Sequence, residues 1–197
     1  MMIRNLIGKT AERFGYHIVN WRANYPAEDC QLLDQVRPHT MVRPLRLLAI
    51  CDAVAYIARN SIPGDWVECG VWKGGCSLLA ELKMKQVGDR RPIWMYDMTP
   101  AGAKELLQTA QFIEGDVLTT IPDHAPESIA ILRLDTNSYA STFHELTHLY
   151  PLLSNGGVLL LDDWKIPEFR SAVIDYFQGN RPFIARSDYT GAIIIKS

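Results

Sequence analysis

The chain has 197 residues, 48% of them apolar, and a formal net charge of −2. It can bury the core of one domain with a small appendage, and it has no broad electrostatic attraction to nucleic acid or an anionic membrane. The four cysteines (Cys30, Cys51, Cys69 and Cys76) form no CxxC pair and sit mostly in apolar runs, the pattern of reduced, buried thiols in a cytoplasmic protein.

The first twenty residues carry charges throughout, unlike a signal peptide or a membrane span. Ile3, Leu6, Ile7 and Phe14 give residues 2–15 a loose helical stripe, and residues 20–40, with Pro26 and Pro38, read as irregular. A helix is expected over Pro44–Arg59, with proline in its first turn and Asn60, Pro63 and Gly64 as the stop.

From Trp66 onward short apolar runs alternate with helical patterns. Strands are expected at 66–69, 92–96, Gln111–Glu114, Ile129–Leu134 and 158–161. Helices are expected at 76–85, 101–109, 142–153 and 168–177. The Asn155-Gly156-Gly157 turn should stop the third of these helices, and strands at 183–186 and 192–196 close the chain through a tight turn. This alternation predicts an α/β fold, a mainly parallel sheet covered by helices on both faces. Only about 13 residues join Asp97 to Gln111, close to the minimum for a helical crossover.

The second to fifth strands each end in an aspartate, and the first carries Glu68 near its end. Strand carboxyl ends share one edge of a parallel sheet, where ligands bind. Glu68, Asp97, Asp116, Asp135, Asp162 and Asp163 should therefore converge on one crevice. A carboxylate at the end of the second strand can accept from ribose hydroxyls. The glycines of GVWKGG allow close approach of backbone to a ligand. That run is neither GxGxxG nor a P-loop, so a nucleoside without phosphates, such as S-adenosylmethionine (SAM), fits better than NAD or ATP. Asp135, Asp162 and Asp163 would repel one another unless a cation sat among them, and hard oxygen ligands suit Mg²⁺ or Mn²⁺. The simpler alternative is that Asp162 caps the next helix and Asp135 solvates a strand end.

IPGDWVECGVWKGG, LRLDTNSYAST, HELTHLYPLLSNGGVLLLDDW and the closing SDYTGAIIIKS together resemble the macrocin O-methyltransferase family, from about Thr40 to the C-terminus. The resemblance implies a Rossmann-like class I SAM-dependent methyltransferase fold, with a seven-stranded, mainly parallel sheet and a C-terminal antiparallel strand. It implies a domain over 61–197 behind an N-terminal helical segment, 1–60, that packs over the crevice or builds a homo-oligomer contact. It also implies SAM- and Mg²⁺-dependent methylation of a hydroxyl on a sugar or other small natural product. The SAM-binding residues would be Glu68, Gly70, Trp72, Gly74, Gly75, Ser77, Asp97 and Asp116, and the metal ligands Asp135, Asp162 and Asp163.

Two positions depart from the family pattern. Asn137 stands where the family has the aspartate proposed as general base, followed by Ser138 in place of an aromatic residue. An amide cannot take a proton from a sugar hydroxyl. Asn137 could position that hydroxyl while His144, His124 or water takes the proton. Other readings are an already acidic acceptor, such as a phenol or carboxylate, or a degenerate fold that binds SAM, or a partner, without turnover. Also, YDMTPAGAKELLQTAQF replaces a longer family segment that helps cover the site.

HELTH at 144–148 matches the HExxH zinc signature, with Glu168 as a conceivable third ligand. The turn and apolar strand between His148 and Glu168 argue instead for a helix covering the sheet.

Overall fold

The computed structural model describes residues 13–15, 20–99 and 102–197. Apart from its last three residues, the segment expected as a helix over 2–15 lies outside them. Seven strands form one sheet in the order β3-β2-β1-β4-β5-β7-β6. They are β1 (Asp65–Cys69), β2 (Ile93–Asp97), β3 (Gln111–Glu114), β4 (Ile129–Leu134), β5 (Leu153–Leu161), β6 (Ala185–Arg186) and β7 (Ala192–Ile195). Strands β1 to β5 run parallel, and β7 pairs antiparallel with both β5 and β6. The mixed sheet therefore matches the expected architecture.

Alternation along each strand divides the core in two. Trp66, Met95, Ile131 and Leu160 face helices α1 (Ala27–Val36), α2 (Pro44–Arg59) and α3 (Gly75–Val87). Val67, Tyr96, Leu132 and Leu159 face α6 (Tyr139–Leu149) and α7 (Pro167–Tyr176). Two four-residue helices, α4 (Ala103–Leu106) and α5 (Val117–Thr120), flank β3. On α2, Leu47, Leu48, Ile50, Val54 and Ile57 are buried, each contributing about 1.5–3 kcal/mol. From Ala27 on, the N-terminal segment shares a core with the sheet. Among the described residues no helix is long and apolar enough to cross a membrane.

Three expectations need correction. Residues 20–40 are not irregular, because α1 lies within them. Its buried face, Asp29, Cys30, Leu33 and Val36, is only partly apolar. Asp29 pairs with Lys83 of α3 at 2.6 Å, a tertiary contact that masks the helical stripe. Next, α6 begins at Tyr139, capped by the Ser138 hydroxyl, and ends before Pro151. Finally, Asn155, Gly156 and Gly157 lie inside β5. There Gly156 and Gly157 pair with Lys196 through the backbone, while Lys196 Nζ gathers the carbonyls of Tyr150, Pro151 and Leu153.

Candidate active site

Period-two geometry builds the site. Glu68 and Arg133 are direct neighbours in the β1–β4 register, and Arg133 faces Leu160 in β5. Asp135 and Asp162 follow two residues after Arg133 and Leu160, and so continue the same face beyond the strand ends. The ladder is extended by Asp135 N–H donating to Cys69 O and Asp162 N–H to Leu134 O.

A buried charge network results. Arg133, 1% exposed, donates to Glu68 Oε1 at 2.6 Å and to Asp135 Oδ2 at 2.8 Å, and meets Asp162 Oδ2 at 2.9 Å. Ser77 closes the other side of Glu68, donating to Oε2 while it receives the Trp66 indole N–H at 2.9 Å. Arg46 of α2 donates to both the carbonyl and Oδ2 of Asp162. Its Nε lies 3.4 Å from Asp188 Oδ2. The cations that the chain itself places among the aspartates are thus two guanidiniums. Sequence reading passed over both, although a lone arginine inside IAILRL was a usable signal, since a buried charge needs partners.

Burial is the main influence on these carboxyls. It pushes Glu68 up to about 7, against the pull of Arg133 and the Ser77 hydroxyl. Asp135 rises to about 6 through burial, opposed by Arg133 and reinforced by the neighbouring Asp163 carboxyl. Burial also raises Asp162, with Arg133 and Arg46 opposing. Arg133 stays charged despite burial because Asp162, Asp135 and Glu68 surround it. Asp163 Oδ2 is buried without a hydrogen-bond partner.

Above this network lies a cavity of about 240 Å³. Glu68, Trp72, Gly75, Asp135, Asn137, Asp162 and Asp163 line it, together with Arg133 and, from the N-terminal segment, His39, Thr40, Met41, Val42 and Arg46. The other sequence-derived candidates are not among its lining residues. Gly70, at φ +84, lets the Asp135 carbonyl approach, where a Cβ would lie 2.3 Å away. Gly74 is the left-handed N-cap of α3. Asp97 receives the amides of Val71, Trp72 and Thr99 and so shapes the glycine loop. Asp116 caps α5 through Leu118 N–H. His144 Nε2 is 2.8 Å from the Ile121 carbonyl, and neither it nor the exposed His124 lines the cavity. The rings of His144 and His148 are 4.3 Å apart, but Glu145 of the same HELTH run is buried against Thr136. Among the described residues no group of three or more His, Cys, Asp or Glu forms a preassembled metal cage.

Gly75 offers a local test. A Cβ there would lie 2.4 Å from the His39 carbonyl oxygen, so Gly75→Ala must push the 39–42 segment off the cavity. The expected cost is about 1–3 kcal/mol, measured as a lower denaturant midpoint. An unchanged midpoint would show that this segment is not seated on the glycine.

The strand order, the glycine loop after β1 and the strand-end acids define a class I SAM-dependent methyltransferase fold. An S-adenosylhomocysteine-bound methyltransferase from Podospora anserina shares this fold (TM-score 0.62, 14% identity, 96% of each chain). The family profile for macrocin O-methyltransferase (TylF) matches residues 17–106 and 103–185, and the chain belongs to this family. It is 32% identical to mycinamicin III 3''-O-methyltransferase of Micromonospora griseorubida over 70% of each chain. It is 28% identical to demethyldecarbamoylnovobiocin O-methyltransferase of Streptomyces niveus, over 89% of this chain and 83% of the relative. The solved O-methyltransferase NovP superposes with a TM-score of 0.76 at 26% identity, covering 81% of this chain and 82% of that one.

Proposed function

We propose that this chain transfers the methyl group of SAM to a hydroxyl on the sugar of a small natural product, with Mg²⁺ held by Asp135 and Asp163 and bordered by Asp162. The observation that carries the reading is the Asp135–Asp163 pair. Two neighbouring carboxyls, one with a buried unpartnered oxygen, line a cavity together with Asn137 and residues of the glycine loop. That donor set fits a hard divalent cation. Asp162 Oδ2 is engaged by Arg133 and Arg46, which fixes the carboxylate beside the pair. When bound, the cation would lower the pKa of a coordinated hydroxyl.

The remaining work falls to the chain. Methyl transfer requires nucleophile, methyl and sulfur in line, so positioning dominates. Three of the four or so acceptor sites of Asp97 are filled by backbone amides, leaving room for one ribose hydroxyl. Asp116 would border the adenine, and Trp72 and Gly75 the methionine side. Residues 39–42 line the cavity from the N-terminal segment. The Asn137 amide orients the acceptor hydroxyl without removing its proton. His144 and His124 lie outside the cavity wall but His39 lines it, so His39 or water would take the proton.

A second reading, SAM binding without turnover, is favoured by Asn137 and by the short segment between β2 and β3. Calorimetric titration with S-adenosylhomocysteine, with and without Mn²⁺, followed by methyl transfer to mycinamicin III and related glycosides, separates the two. Binding with transfer supports the enzyme, and binding without transfer to any of them supports the second reading. No binding at millimolar ligand removes both. Asp135 must be ionised to hold a cation, so Mn²⁺ affinity should be full above pH about 6 and decline as pH falls below it. A flat profile from pH 7 to 5 would remove Asp135 from the metal site.

A further inference from the structure

Glu145 lies in the HELTH run on α6 and is wholly buried. Its Oε2 accepts the Thr136 hydroxyl at 3.0 Å, while Oε1 is buried without a partner. Burial holds its carboxyl pKa well above the ordinary value. An apolar side chain would be the more stable occupant of such a place, so packing does not account for a glutamate there.

What Glu145 touches does account for it. Thr136 stands between Asp135 and Asn137. Asn137 has φ +64 and is the middle of a three-residue turn in which Ser138 N–H donates to the Thr136 carbonyl at 2.9 Å. Asparagine tolerates this left-handed region better than most residues. Even so, such a turn persists only when its surroundings over-determine it. Upstream, Asp135 N–H is tied to the Cys69 carbonyl. Downstream, the Ser138 hydroxyl caps α6 by accepting Ser141 N–H at 3.1 Å. Between these anchors, Asp135 Oδ2 accepts from Arg133 at 2.8 Å, and the Thr136 hydroxyl bonded to Glu145 is the side-chain tie nearest Asn137.

We propose that Glu145 is a positioning residue that, through Thr136 Oγ1, locks the turn at 135–138 and so fixes where the Asn137 amide stands at the cavity. Its consequence for activity rests on the methyltransferase reading above, whereas the locking itself does not.

The test compares the full chain with Glu145→Leu, Glu145→Gln and Thr136→Val. Leucine fills the space without the hydrogen bond, glutamine keeps an acceptor for Thr136, and valine removes the hydroxyl from the other end. Amide hydrogen exchange is followed over 135–138. Glu145→Leu and Thr136→Val should each accelerate exchange there by about tenfold, with β1 and β5 unchanged. Glu145→Gln should stay within about twofold of the parent. In methyl transfer to a glycoside that the parent accepts, Glu145→Leu should lower kcat by about tenfold with the KM for SAM unchanged, and Glu145→Gln should restore it. Unchanged exchange at the turn in both Glu145→Leu and Thr136→Val would overturn the proposal. So would equal acceleration in Glu145→Gln, or acceleration spread evenly over α6 and the sheet. If Glu145→Leu fails to fold, Thr136→Val decides. If the parent transfers no methyl group, the functional reading falls, and the exchange comparison still decides the role of Glu145.

Discussion

Arg133→Met is expected to cost about 3–5 kcal/mol of folding stability. The side chain is 1% exposed, and Glu68, Asp135 and Asp162 all point at its guanidinium. Removing it leaves Glu68 buried with only the Ser77 hydroxyl, whereas Asp162 keeps Arg46 and the Asp135 side chain is 25% exposed. Glu68 must then be protonated or the site must open. For a chain of this length the thermal midpoint should fall by roughly 6–20 °C.

The loss should also depend on pH, with a definite sign. Glu68 and Asp135 already hold protons more tightly in the folded state than when unfolded, at about 7 and about 6. The stability linked to those raised values is complete below the unfolded pKa and is lost as pH rises through the folded one. Without Arg133 both values rise further, so the variant should be least handicapped near pH 5 and most handicapped near pH 8. Adding Glu68→Gln to Arg133→Met should recover part of the loss by removing one buried charge. Equal midpoints for parent and Arg133→Met across that range would show that the guanidinium does not hold the site together.

Asn137→Asp is expected to raise kcat on a sugar hydroxyl by about 10²-fold or more, the usual scale of a positioned general base. Asn137 lines the cavity beside Asp135. Its φ of +64 suits aspartate nearly as well as asparagine, so the substitution changes chemistry more than backbone. The KM for SAM should change little, because Asn137 is not among the residues proposed to hold the donor. Single-turnover rates with an accepted glycoside would measure the gain. No gain, with parent and variant both active on a phenolic acceptor, would mean that the hydroxyl reaches the cavity already acidic enough to need no side-chain base.

Much of the site was legible because sheet geometry turns spacing into place. Acids at the ends of successive strands had to share one edge, and Asp135, Asp162 and Asp163 do meet there. Spacing could not say what each acid touches. Asp97 and Asp116 are tied to backbone amides, and Glu68 is spoken for by Arg133 and Ser77. His144 looked available for catalysis, yet the helix rotation set by α6 packing turns it to the Ile121 carbonyl. The same rotation buries Glu145 under Thr136.

By itself the sequence determined the alternation of strands and helices, the parallel core of the sheet and the run of strand-end acids, because periodicity and turn residues are local properties. Tertiary structure alone decided three things: that Asp29 of α1 is buried against Lys83; that His39, Thr40, Met41, Val42 and Arg46 line the cavity; and that guanidiniums thread the acidic cluster. Each depends on side chains far apart in the chain, such as Arg46 and Asp162 or Glu68 and Arg133. The low dielectric of the folded interior strengthens the attraction within those pairs, and no window of sequence contains both partners.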